Sequence, residues 1–179
     1  MRKVEIEIPD GKMAQWVNGV LTLVDEKPQN VMDRIKTFED AVAELSNRAM
    51  NEDKDAGKLL DEWKISSQVS SKDLLAYLKL RIITYALNEG WEPKFIPGEY
   101  RWAPYFLLYT KEEIEKMNAE KRARMVLRSA VSFAYANYDS VRTSAYIGSL
   151  LAFKSKELSE YAGKQFTEIY ADFIFKAKE

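Results

Sequence analysis

The spacing of apolar residues changes period several times along the chain, and each change predicts an element. In 2–8, Val4, Ile6 and Ile8 alternate with Lys3, Glu5 and Glu7. That is the two-residue period of a half-buried strand, and Pro9-Asp10-Gly11 closes it. Two short β runs, 16–17 and 20–24, flank Asn18-Gly19, a strong hairpin signal. From Asn30 the period lengthens: Val31, Ile35, Phe38, Val42 and Leu45 recur at helical spacing, predicting one amphipathic helix to about Arg48. The segment 51–69 is polar and holds Gly57 and a serine pair. It reads as a loop with one helical turn around 59–63.

The next helix is the most hydrophobic. Ser70 with Asp73 resembles a capping box, Leu74, Leu75, Leu78, Ile82, Tyr85 and Ala86 form a broad apolar stripe, and Gly90 stands where a terminating glycine belongs. In 91–109 aromatics are dense and Pro93, Pro97 and Pro104 forbid a regular helix, so an irregular lead-in and a strand at about 105–109 are expected. Thr110 with Glu113 is a second capping box, opening a short helix to about Asn118. Strands are predicted at both ends of 126–153, at 126–128 and, buried, at 150–153. Ser155 then caps a helix over 156–175 whose apolar face is Leu158, Tyr161, Phe166, Ile169, Tyr170 and Phe173. The sum is a single α+β domain over 1–179, with small antiparallel sheets packed against three main helices.

Composition removes several kinds of chemistry. The 179 residues include no Cys and no His, which excludes disulfides, thiolate nucleophiles, Ser-His-Asp catalysis and His-ligated zinc. A net charge of −1 argues against a nucleic-acid surface, which shows as basic excess. The basic run 121–124 lies beside Glu112, Glu113 and Glu115 and reads as a solvated helix end. The opening MRKVEIEIPDGK lacks the apolar core of a signal peptide, and no apolar run approaches the length of a membrane span. The reading is therefore cytoplasmic synthesis without membrane insertion. The acidic clusters lie among counter-charges, where nothing desolvates a carboxyl into a catalytic pKa. The glycines are scattered singly rather than forming a phosphate loop, and the Asp-rich run at 51–55 lacks the spacing and the terminal Glu of a calcium loop. No catalytic residue, metal or cofactor is assigned. Tyr100, Trp102, Tyr105 and Tyr109 have the stacking chemistry to hold a sugar face, but at this density they are expected to serve packing.

The window 126–153, VLRSAVSFAYANYDSVRTSAYIGSLLAF, contains no Lys, Glu, Gln, Met or Trp. Ser, Ala and Tyr are prominent instead, with Val, Asn, Thr, Gly, Asp and Arg among the rest, the palette of an adaptable binding surface in which rigid Tyr supplies contact area and small polar residues supply hydrogen bonds. Strands disfavour three of the missing types in any protein. The five missing types are also the ones that codons ending in a pyrimidine cannot encode, as expected of a segment diversified at adenines. The display surface is placed at about 129–149. Its candidate ligand-binding residues are Ser129, Val131, Phe133, Tyr135, Asn137, Tyr138, Asp139, Val141, Arg142, Ser144 and Tyr146. Tyr135, Tyr138 and Tyr146 are expected to be exposed anchors.

The stretches WVNGVLTLVDEKP, RIKTFEDA, LLAYLKLRIITYALNEGWEP, LYTKEEI and GSLLAFKSKELSEYAGKQFTEIYADF resemble a group of gut Bacteroidetes phage and prophage proteins. Members of that group end in a GSRLAFKS-ELAEYAGKQF pattern behind a segment that differs between relatives. Leu150 stands where the pattern has Arg, so an Arg-dependent contact is not carried over. The segment layout is also similar to the variable regions of diversity-generating-retroelement targets. That likeness implies a C-type-lectin-like scaffold around 126–153 that binds a host-surface protein or glycan. Those scaffolds close on a strand, whereas a long helix is predicted here after the variable segment, which leaves a distinct α+β fold equally open.

The resulting expectation is a non-enzymatic receptor-recognition protein, virion-associated, with homo-oligomer or virion assembly compatible with it. One alternative is a phage accessory protein that acts inside the host by binding a protein or small molecule, as an inhibitor would. The other is an enzyme built on carboxylates or tyrosine.

Overall fold

In a computed structural model, residues 6–17, 19–26, 28–68, 71–94, 96–123, 126–128, 131–141 and 149–174 are described, with the backbone alone over 15–17, 126–128 and 131–141 and at 25, 111, 123 and 149. The architecture is α+β: among the described residues, eight helices, a two-stranded antiparallel sheet and a three-stranded antiparallel sheet.

The predicted hairpin around Gly19 forms, Asn18 itself lying outside the described residues. Strands β1 (Lys12–Val17) and β2 (Val20–Asp25) pair from Val17 opposite Val20 to Lys12 opposite Asp25, and Gly19 takes a φ of +79° that a side chain would disfavour. The predicted strand over 2–8 does not form in its described part: residues 6–8 have no strand pairing, and 1–5 lie outside the described residues.

The single helix expected over 31–48 is two, α1 (Val31–Arg34) and α2 (Phe38–Met50). Between them Thr37 and Asp40 form a reciprocal capping box, the Asp40 N–H donating to Thr37 Oγ1 at 3.1 Å and the Thr37 N–H to Asp40 Oδ2 at 2.8 Å. Two satisfied orphan groups at one point stabilise a fresh start over a continuous helix. The loop expected at 51–69 is largely helix α3 (Lys54–Ser66), capped by Asp53, whose Oδ1 accepts from the Ala56 N–H at 3.0 Å. Ala56, Leu59, Leu60 and Trp63 face the core at helical spacing. Helix α4 (Lys72–Leu87) begins at Ser71, whose side chain makes no capping bond, and the expected Ser70 box falls on a residue outside the described set. At its far end Asn88 is the C-cap and Glu89, with φ +51°, takes the left-handed position predicted for Gly90; Gly90 follows at +86°. A Cβ on Gly90 would stand 2.9 Å from the Arg48 guanidinium, so conformation and space both select glycine there.

Strand β3 (Arg101–Thr110) starts four residues earlier than expected and contains Pro104. The Trp102 N–H and C=O both bond Phe153, at 3.1 and 2.8 Å. Alternate residues of a strand point to the same edge, so the missing N–H of Pro104 falls on that outer edge and costs no bond to the inner neighbour. Thr110 caps α5 (Lys111–Glu115) with the predicted box; the helix ends three residues before Asn118. After α6 (Ala119–Ala123), strand β4 (Val126–Arg128) forms as predicted and β5 (Val131–Val141) lies between β4 and β3. The strand expected over 150–153 is instead a 3₁₀ turn at Ser149–Leu151, with only Phe153 making a bridge, to Trp102. Leu150 is exposed. The final helix divides into α7 (Lys156–Gln165), capped by Ser155, and α8 (Thr167–Ile174).

One core joins the helices and the three-stranded sheet. Helix α4 is its axis, touching α2, α3, α7 and α8, and Leu80, Ile82, Ile83, Ala86 and Leu87 are completely buried. The break between α1 and α2 is held from α7: the Tyr161 hydroxyl and the Gln165 amide donate to the carbonyls of Ile35 and Lys36, each at 2.6 Å. Helices α7 and α8 also back the three-stranded sheet, where Phe106 meets Tyr170 at 4.9 Å between ring centroids.

Candidate functional site

The candidate display segment is built around the β3–β5 ladder. Arg101 pairs with Val141 and Thr110 with Val131, so ten residues of β3 fix the backbone of the candidates between 131 and 141. The register shifts once: Tyr105 stands opposite Asn137 and Phe106 opposite Tyr135, which leaves Ala136 as an extra residue. Such a bulge bends the strand and increases its twist. Short β4 flanks β5 only at 131–133. Past that point, among the described residues, 134–141 is an edge with β3 on one side alone.

Residues opposite one another in an antiparallel pair lie on one face of the sheet, so the register sorts the candidates. Asn137, Asp139 and Val141 stand opposite Tyr105, Ala103 and Arg101; Tyr135 and Tyr138 stand opposite Phe106 and Pro104. Tyr105 is 50% exposed, Ala103 and Arg101 are buried, and Phe106 packs toward the core. Val131 and Phe133 pair with Thr110 and Leu108 on one side and with β4 on the other. Ser129, Arg142, Ser144 and Tyr146 lie outside the described residues. The structure thus brings seven of the eleven candidates onto one strand and divides them between its two faces. Beside them β3 carries exposed Tyr105, Leu107 and Leu108, and exposed Tyr100 just precedes it, stacked on Trp102 at 5.8 Å.

The segment is closed at its far end by Asn88. The buried Asn88 side chain donates to the Ala152 carbonyl at 2.8 Å and accepts from the Lys154 N–H at 3.0 Å. Beside it Glu89 bonds Arg34 at 2.8 Å and Lys154 at 3.0 Å. Desolvation raises the Glu89 pKa, but these two cations together hold it below the usual carboxylate value.

A second concavity opens on the other side of this joint, between α3, the end of α4 and residues 91–93, with Leu150 at its rim. Apart from Glu92, its polar groups come from α4 and its C-cap, at positions 81, 84, 85 and 88, a helical stripe through the most apolar helix. That stripe was the available signal, and sequence reasoning passed over it because it counted Tyr85 as core. The Tyr85 hydroxyl donates to Asp53 at 3.0 Å, and the Arg48 guanidinium lies 4.7 Å over its ring. Burial first, then this bond to a carboxylate, push the Tyr85 pKa up to about 12. On Asp53 the burial penalty is outweighed by the Ala56 N–H, Arg48 and Tyr85, so its pKa falls. This triad is a brace between α2, α3 and α4.

Among the described residues no three carboxylates stand close enough to hold a metal ion, and no helix is long and apolar enough to cross a membrane. Comparison with family models, with curated proteins and with solved structures found no match.

Proposed function

We propose that the chain is a non-enzymatic recognition protein of a gut phage or prophage. In this reading a diversified surface at about 129–149 is presented to a host-surface protein or glycan. The observation that carries it is the conjunction of composition and place. The window with the restricted residue set contains β4 and β5, and among the described residues the outer part of β5 has β3 on one side alone. An edge offers unpaired backbone groups and alternate side chains to a partner, and a site carried on a strand backed by helices is held more rigidly than one on a free loop.

Replacing Tyr135, Tyr138 and Tyr146 together by Ala is expected to abolish retention on host cells while leaving the melting temperature nearly unchanged. A fall of more than about 10 °C would make these side chains core and end the proposal for them. Replacing Asn137 and Asp139, opposite the other face of β3, tests whether that face is the one used. Mass spectrometry of purified particles adds a second readout: absence of the protein would move its action inside the cell.

A further inference from the structure

The two faces of the β3–β5 ladder are unlike. Trp102 and Phe106 turn one of them to the helical core, where Phe106 meets Tyr170. Alternate residues of a strand share a face, so Tyr105, Leu107 and Tyr109 lie on the other. That face is closed at one end, where Arg101 and Ala103 are each 5% exposed. Beyond them it opens: Tyr105 is 50% exposed, Leu107 38%, and Tyr109 is half-buried. The change from closed to open falls at the bulge.

The bulge also decides which β5 positions join this open face. On one side of it Asn137 stands opposite Tyr105; on the other, Ala134 stands opposite Leu107 and Ser132 opposite Tyr109. Residues directly opposite share a face. The extra residue therefore brings in Ser132 and Ala134, which strict alternation from Asn137 would put on the helix side.

These six positions include no charged residue. Leu107 and Ala134 stand at their centre, with a tyrosine two residues to either side of Leu107. An apolar centre ringed by amphipathic side chains is the layout of a protein-interface anchor, poor in charge and rich in aromatics. A sugar laid over Leu107 would instead lose water from hydroxyls that meet no polar partner there. Three alternate residues on two strands cover roughly 14 Å by 10 Å. That is a fraction of the ~800 Å² per partner of a standard interface, so it makes one anchor point within a larger contact.

We propose that Tyr105 and Leu107 are the fixed half of the recognition surface, and that the partner is a protein presenting an apolar side chain to the Leu107–Ala134 centre. The inference rests on the recognition role proposed for 129–149. Substitutions on β5 then alter one half of the surface while β3 holds the anchor constant.

The test is retention of the full chain on intact cells of gut Bacteroidetes strains, with the variants compared on a strain that retains the wild type. Tyr105→Ala and Leu107→Thr are each expected to lower retention by about tenfold. Leu108→Thr is the control, the same change one residue on, at a side chain 54% exposed but on the helix-facing side. It should leave retention within about twofold. A general effect on the strand would move both threonine variants alike, so their difference reads the face. Trypsin treatment of the cells should abolish retention, and periodate oxidation should spare it. Three outcomes overturn the inference: Tyr105→Ala and Leu107→Thr are retained like the wild type, Leu108→Thr falls as far as Leu107→Thr, or periodate removes retention, which makes the partner a glycan. Failure of the wild type to be retained on any strain ends the recognition reading itself, and this inference with it.

Discussion

The two sheets are both antiparallel, yet they are held in opposite ways. The β1–β2 hairpin is specified by its turn, and its only substantial packing among the described elements is of one strand on the other. Met13, Val20, Leu21 and Leu23 remain exposed. A lone two-stranded hairpin is marginal in water, so this one contributes little to the body. The β3–β5–β4 sheet has no two-residue turn joining β3 to β5. It is specified from a distance, by α7 and α8 behind it and by Phe153 on the outer edge of β3. Local chemistry is enough to make a ladder, whereas rigidity comes from what lies across it.

The largest effect should come from the sheet's anchor. Phe153 is fully buried and bridges Trp102, so Phe153→Ala is expected to cost about 3–5 kcal/mol in chemical denaturation. A cost below 1 kcal/mol would mean that the sheet stands without it. Next is Asn88→Ala, which strands the Ala152 carbonyl and the Lys154 N–H and should cost about 2–4 kcal/mol. Hydrogen exchange should then rise first around 152–154. The smallest effect belongs to the hairpin: Leu23→Ser should change stability by no more than about 0.5 kcal/mol, and a large loss would show that the hairpin is covered in solution.

The same division explains what was legible beforehand. Thr110 with Glu113, Ser155, and Asn18 with Gly19 act within four residues, and each element they predict is present. Helix α3 was missed because its apolar stripe is narrow and Gly57 and the serines outweighed the Asp53 cap. Gly57 is tolerated there, a Cβ at that position lying an ordinary 3.8 Å from Ala49. The break at Phe166 has no proline and no glycine at the junction. Its Thr167 hydroxyl turns back to the Gly163 carbonyl at 2.6 Å, and Phe166 packs into the core, a tertiary preference that periodicity does not encode. The composition of 126–153 marked a strand-rich segment, but the face each residue occupies depends on a bulge opposite Tyr105 and Phe106, and register is a property of the pair. For the cleft, half the signal was readable in the stripe at 81, 84, 85 and 88. The walls come from Trp91 and Leu150, which only the fold brings together.

The Asn88 joint has a further consequence for how the chain can change. It pins residue 88 to 152 and 154, so the whole intervening stretch leaves the body and returns at one place. Closing such a loop becomes only slowly more costly as it lengthens, by about 0.6 kcal/mol per doubling. Insertions in the connections between these feet therefore weigh little against the helical body, provided that both feet stay tied and the sheet keeps its packing on α7 and α8. A single asparagine sets where the sheet-bearing stretch departs from the helical body and where it rejoins it.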